Sequence, residues 1–253
     1  MILLDFSKVF DKVCHGRLEL KLQSIGLEEK ILKWILDFLR NRVQHVRLFD
    51  EDGNPILSSS QNVISGVPQG SVLVHTMFNI FINDALLALK SRMTLYADDS
   101  KVIGPASTLE DTSQLQNDLD LLSVWAKSWL LTFNVSQCHV LHFGHRNINT
   151  TYSLYGQLLS PVLEERDLGS IVDNDLKFSS HAKKAAASAN SSLGLKKRTI
   201  SSRSPKILSL LYKGLVRPRL ETGMVLASPF FKKDAKILED VQKRATKMVS
   251  GLH

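Results

Sequence analysis

The chain has 253 residues, 43% of them hydrophobic and 23% charged, values near the globular average that exclude wholesale disorder. Its formal net charge of +7 is unevenly spread: residues 1–181 carry 16 basic and 21 acidic side chains, and residues 182–253 carry 16 basic and 4 acidic. An acidic front joined to a basic tail points to a polyanionic partner, and two cysteines, Cys14 and Cys138, are too few for a disulfide framework.

In chain order, Ile2-Leu3-Leu4 reads as a short buried strand. Helices are predicted over 17–26, with Gly26 at its C-terminal end, and over 28–39, where Ile31, Leu32, Ile35, Phe38 and Leu39 recur at helical spacing. Residues 42–64 read as a hairpin turning at Asp52-Gly53-Asn54-Pro55. A loop over 65–70 leads into a helix over 71–89. Short strands over 93–96 and 101–103 flank Ala97-Asp98-Asp99-Ser100, and a long helix covers 109–131. Residues 138–143 and 168–172 read as strands, and 152–163 as a further hairpin. From His181 the pattern turns helical and basic, with helices over 181–197, 205–220 and 232–250. The composition shift near 180 marks the expected domain boundary.

The first residues lack the basic region and apolar stretch of a signal peptide. The most apolar run, 76–89, is broken by Asn79, Asn83 and Asp84, short of the ~18–20 residues a membrane span needs. The expected compartment is therefore intracellular, nucleus or cytoplasm, with no membrane partner.

Two acidic sites carry chemistry. Asp5 follows the first strand, and Asp98-Asp99 sits between two others. If those strands are neighbours in one sheet, three carboxylates converge at its end. They would repel unless a cation lay among them, and oxygen ligands suit a hard divalent ion such as Mg²⁺. Taken singly, an Asp-Asp pair in a hairpin is an ordinary turn. Cys138, His139, His142 and His145 could suggest zinc, but on a strand the imidazoles of His139 and His142 point to opposite faces, so a structural role is expected. Trp125 and Trp129, one helical turn apart, are expected in the core.

The ordered strings Leu4-Asp5-Phe6-Ser7-Lys8-Val9-Phe10-Asp11-Lys12-Val13, Ser65-Gly66-Val67-Pro68-Gln69-Gly70-Ser71-Val72-Leu73 and Tyr96-Ala97-Asp98-Asp99 resemble the reverse transcriptases of non-LTR (LINE-type, jockey-like) retrotransposons. Phe133-Asn134 with Cys138, Leu141-His142-Phe143-Gly144, Leu168-Gly169 and Leu215-Val216-Arg217-Pro218 extend the resemblance over nearly the whole chain. It implies an α+β fold: a polymerase palm over 1–180, an antiparallel sheet packed on helices, followed by an all-helical basic thumb-like region over 181–253.

The resemblance also implies an RNA-directed DNA polymerase that joins deoxynucleoside triphosphates to a DNA primer on an RNA template. Asp5, Asp98 and Asp99 would be the catalytic carboxylates, holding two Mg²⁺ ions (Mn²⁺ may substitute) with the backbone carbonyl of Phe6. Phe10 would lie under the sugar and exclude a 2′-hydroxyl, with core packing as the alternative. Gly66, Pro68, Gln69 and Gly70 would shape the nucleotide pocket. Lys183, Lys184, Lys196, Lys197 and Arg198 are the expected contacts to the nucleic-acid backbone.

Three features depart from the family pattern. Val74-His75-Thr76 replaces the usual Gly-Pro, Gln137 stands where a Lys is usual, and the chain starts four residues before Asp5. Gln cannot donate a proton to leaving pyrophosphate as a Lys could. The expectation is therefore missing fingers and little or no polymerase activity in the isolated chain. A non-catalytic nucleic-acid binder is the competing reading.

Overall fold

The computed structural model describes residues 1–199, 204–224 and 227–248. Two compact units emerge: Met1–Val140 with Ile148–Ser160, and Leu141–Asn147 with Pro161–His253. Each has its own apolar core.

The first unit is built on β1 (Ile2–Leu4), α1 (His15–Ser24), α2 (Glu29–Leu39), α3 (Leu73–Ile82), β2 (Arg92–Tyr96), β3 (Asp99–Ile103), α4 (Leu109–Ser128) and β4 (His139–Leu141). Four strands of its sheet run in the order β4–β1–β3–β2, and all three pairings are antiparallel. The register aligns Val140, Ile2, Val102 and Met93 in one row across the sheet. All four are buried. Because side chains alternate across a strand, Leu3, Lys101 and Thr94 form the neighbouring row on the opposite face, where each is half-buried.

Helices cover the buried row. Leu18 and Leu22 of α1, Leu36 and Leu39 of α2, Phe78 and Phe81 of α3, and Leu119 and Leu122 of α4 all join the core. Each such side chain contributes roughly 1.5–3 kcal/mol when removed from water. A capping box starts α4: Thr108 Oγ1 accepts from the Asp111 N–H at 3.1 Å, and the Asp111 carboxylate accepts from the Thr108 N–H at 3.0 Å. The buried Asp118 carboxylate accepts from the Lys90 and Ser91 N–H groups and so fixes the entry to β2.

The 42–64 hairpin forms as two short ribbons, Val43–Gln44 with Gln61–Asn62 and Arg47–Phe49 with Pro55–Leu57. Its turn is closed by Asp50, whose carboxylate accepts from the Asp52 and Asn54 N–H groups. The predicted helix over 71–89 instead changes type: α3 ends at Ile82 and a 3-10 helix covers Asn83–Ala88.

In the second unit, Glu164–Asp167 pairs with Ser170–Asp173. Helices α5 (Ser179–Thr199), α6 (Pro205–Leu211) and α7 (Lys232–Thr246) follow. The expected helix over 205–220 is interrupted. After α6 come a π-helical turn over Tyr212–Val216 and an α-helical turn over Arg217–Glu221. Pro218 has no N–H to give to a carbonyl four residues back, and its ring crowds that carbonyl, so the widened turn falls just ahead of it. Among the described residues no helix is long and apolar enough to cross a membrane.

Candidate active site

Asp5 sits where the ladder on β1 runs out. Leu4 pairs with Ser100, the last paired step of β1 with β3, and Tyr96 pairs with Asp99 across the two-residue turn Ala97-Asp98. Extending the register one step sets Asp5 beside Asp99 on the open face of the sheet. Ala97 adopts φ 53°, a left-handed conformation uncommon for a residue with a Cβ, and this makes the turn tight enough to keep Asp98 at the same end.

The electrostatics agree with that placement. The Asp5 carboxyl is held above its ordinary value of 3.8, first by burial, then by the charges of Asp98 and Asp99. The three groups are thus within electrostatic reach of one another. Among the described residues, no group of three or more His, Cys, Asp or Glu is arranged to hold a metal ion as it stands, neither these carboxylates nor the Cys138–His145 stretch.

Backbone contacts fix Asp5 from the other side. Its C=O accepts from the Asn134 N–H at 2.8 Å, and the Ser7 N–H donates to Thr132 C=O at 2.9 Å. Phe6 forms a bridge with Phe133 and stacks on its ring with centroids 4.3 Å apart. By the alternation of an antiparallel strand, the Phe6 C=O points away from Phe133, toward the side on which β3 lies. The Asp5 N–H donates to Cys138 Sγ at 3.4 Å. Burial pushes the Cys138 thiol up to about 11, so it stays neutral.

The loop Ser65–Gly70 is laced onto the segment after Asp5. Gly66 N–H donates to Val13 C=O at 2.8 Å, Val67 N–H to Phe10 C=O at 2.9 Å, and Ser65 Oγ to Asp11 C=O at 2.9 Å. A Cβ on Gly66, at φ +83°, would meet the Asp11 backbone at 2.9 Å. Glycine is therefore required here for contact with the chain's own backbone. Gln69 Nε2 donates to the Asp11 carboxylate at 3.1 Å.

Gly66, Pro68 and Gln69 line a cleft of about 580 Å³ together with Lys8, Asp11, Arg42 and Asn62. Gly70 and Phe10 are not among its lining residues. The half-buried Phe10 ring packs on Phe78 at 4.5 Å and meets the edge of His75 at 6.1 Å. His75, one of the departures from the family pattern, thus borders Phe10. Arg42 was not singled out from the sequence. Its Nη1 is buried and finds no hydrogen-bond partner among the described residues, and its place just ahead of a polar-apolar alternation was the only available hint.

Gln137 has its side-chain oxygen on the Asn134 amide, and its own N–H donates to Asn134 C=O. Trp125 and Trp129 pack against the core, as expected, and share a third element there. The buried ammonium of Lys21 lies over both rings and donates to Phe81 C=O and the Asp84 carboxylate. On α5, Lys183 and Lys184 are exposed, opposite the buried Ala182, Ala185, Ala186 and Ala189. The side chains of Lys196, Lys197 and Arg198 lie outside the described residues.

Comparison with known proteins agrees with the motif resemblance. The sequence model of the family described as reverse transcriptase (RNA-dependent DNA polymerase) matches residues 1–206. The RNA-directed DNA polymerase from mobile element jockey of Drosophila melanogaster is 28% identical over 98% of this chain. Its counterpart in Drosophila funebris is 32% identical over 70%. The probable RNA-directed DNA polymerase from transposon X-element of Drosophila melanogaster is 25% identical over 99%. The chain spans 28%, 20% and 28% of the lengths of these relatives. Among solved structures, an apo telomerase from Candida Tropicalis has a TM-score of 0.52 at 13% identity, covering 98% of this chain and 41% of that one, a likeness of fold. With the family match extending from the first residue through α5 and the carboxylates grouped at the end of β1, this chain belongs to the reverse transcriptase (RNA-dependent DNA polymerase) family.

Proposed function

We propose that the chain carries the catalytic centre of an RNA-directed DNA polymerase of a non-LTR retrotransposon. A primer 3′-hydroxyl attacks the α-phosphate of a deoxynucleoside triphosphate. The new P–O bond joins nucleotide to primer, and pyrophosphate leaves. The observation that carries this reading is the strand register, which brings Asp5 level with Asp99 at the end of β1, beside the Ala97-Asp98 turn, and the raised Asp5 carboxyl accords with it. Carboxylates crowded at one sheet end favour a divalent ion among them, and an all-oxygen donor set suits Mg²⁺, with Mn²⁺ as substitute. Asp5, Asp98, Asp99 and the Phe6 carbonyl would hold two such ions, which when bound neutralise charge on the attacking and leaving oxygens.

The remaining work falls to positioning. Phe10, half-buried against Phe78, would lie under the sugar and exclude a ribose 2′-hydroxyl. The Ser65–Gly70 loop, tied to residues 10–15, gives Gly66, Pro68, Gln69 and Gly70 a fixed backbone against which a nucleotide can lie. Residues 1–180 act as palm and residues 181–253 as a basic thumb, with Lys183 and Lys184 gripping the phosphates of the RNA template and primer. The two unpaired thiols fit a reducing, intracellular compartment.

Primer extension on an RNA template with Mg²⁺ or Mn²⁺ tests this. Little or no synthesis is expected of the isolated chain; what synthesis it shows should fall about 100-fold or more in Asp98→Asn, and equal synthesis in both would refute the assignment. One observation favours a second reading, a binder without polymerase chemistry. Gln137 is occupied with Asn134 and has no acidic proton to give. That reading predicts a salt-sensitive RNA affinity unchanged by Asp5→Ala and Asp98→Ala.

A further inference from the structure

The register between β1 and β4 runs Ile2↔Val140 and Leu3↔His139. Continued, it would pair Asp5 with Gln137, and the Asp5 N–H would find a backbone carbonyl there. The chain does not continue it. Residues Val135–Gln137 turn away in a 3-10 turn, and the Gln137 N–H donates to Asn134 C=O instead. The Asp5 C=O keeps a backbone donor, the Asn134 N–H at 2.8 Å, but the place opposite the Asp5 N–H is filled by a side chain. Cys138 Sγ accepts from the Asp5 N–H at 3.4 Å and lies 3.9 Å from the Asp5 C=O, to which its S–H can donate. Cys138 is 1% exposed, so its thiol meets these groups from the protein interior.

On the far side of the same peptide, Ser100 Oγ donates to Leu4 C=O at 3.1 Å. The Leu4–Asp5 peptide plane is therefore gripped from both flanking strands, where the pairing with β3 stops and the pairing with β4 is interrupted before Asn134 and Phe133 resume it.

We propose that Cys138 is a positioning residue for Asp5. Its thiol substitutes for the missing strand partner and fixes the peptide from which the carboxylate projects. This rests on the reading of Asp5 as a divalent-cation ligand. Buried groups that orient a ligand typically change metal affinity by 10–100-fold when lost. Cysteine sulfur is a weak acceptor and donor, so serine can perform the same task, whereas valine fills a similar volume with no polar atom.

The test uses the full chain and the variants Cys138→Ser, Cys138→Val, Cys138→Ala and Asp5→Asn, with Mn²⁺ alone as probe. Amide hydrogen exchange at Asp5 should quicken about tenfold in Cys138→Val and Cys138→Ala and stay near wild type in Cys138→Ser. Mn²⁺ binding read by electron paramagnetic resonance should weaken about tenfold in the same two variants and recover in Cys138→Ser. Unchanged exchange at Asp5 in Cys138→Val overturns the proposal whatever the metal does. Faster exchange with wild-type Mn²⁺ affinity, where Asp5→Asn abolishes binding, overturns the positioning role. Mn²⁺ binding that Asp5→Asn leaves intact overturns Asp5 as a ligand, and the role of Cys138 with it. If Cys138→Val does not fold, Cys138→Ala against Cys138→Ser gives the same comparison.

Discussion

Lys21 shows how far one side chain can be committed to structure. Its ammonium lies 3.8 Å from the Trp129 ring centroid and contacts Phe81, Trp125 and Asp84. Burial holds its pKa below the usual 10.5, outweighing the opposite pull of Asp84. The unfolded chain therefore binds this proton more tightly, and the folded chain gains stability as pH rises toward 10.5. Urea unfolding of wild type and Lys21→Met at pH 7 and pH 10 should show the difference moving in favour of wild type at the higher pH. Parallel behaviour would contradict it. Gly66 makes a second claim at this scale. With φ +83° and a would-be Cβ at 2.9 Å from backbone, Gly66→Ala should cost about 2 kcal/mol or more in a denaturant melt. The carboxylates and the glycine loop were legible in the sequence because their strings are distinctive. Lys21 was not, because a lysine on an amphipathic helix gives no sign that three aromatic side chains from distant segments enclose it.

Among the elements, α4 rests on its capping box, and Thr108→Ala should lower stability by about 1 kcal/mol, read from the shift in urea midpoint at constant slope. Most helices and the strands around Asp98-Asp99 were legible, since apolar spacing and the turn signal agree with the tertiary packing. The 3-10 segment after Ile82 and the π turn before Pro218 were not. Both depend on hydrogen bonds that shift by one residue within a run whose apolar pattern is still helical. The role of Cys138 was hidden for a related reason: it depends on where the β1–β4 ladder stops, and no local pattern announces that.

For the molecule as a whole, the charge division between an acidic front and a basic tail matches the proposed division of work. The front holds carboxylates that crowd one another, and the tail holds exposed lysines on helices packed through alanine and leucine. If Lys183 and Lys184 meet phosphates, the Lys183→Ala/Lys184→Ala double variant should weaken RNA–DNA duplex binding. It should also reduce the slope of log affinity against log salt by about two. An unchanged slope in filter binding would remove them from the interface. The central proposal, that Asp5, Asp98 and Asp99 together would hold a divalent ion, is tested most directly by thermal unfolding with and without Mn²⁺. Wild type should melt higher with the ion, since binding to the folded state alone stabilises it. Asp5→Asn should melt above wild type without the ion, because a crowded charge is gone, and should gain little from it. Equal melting of the two proteins, with the same response to Mn²⁺, would contradict the account.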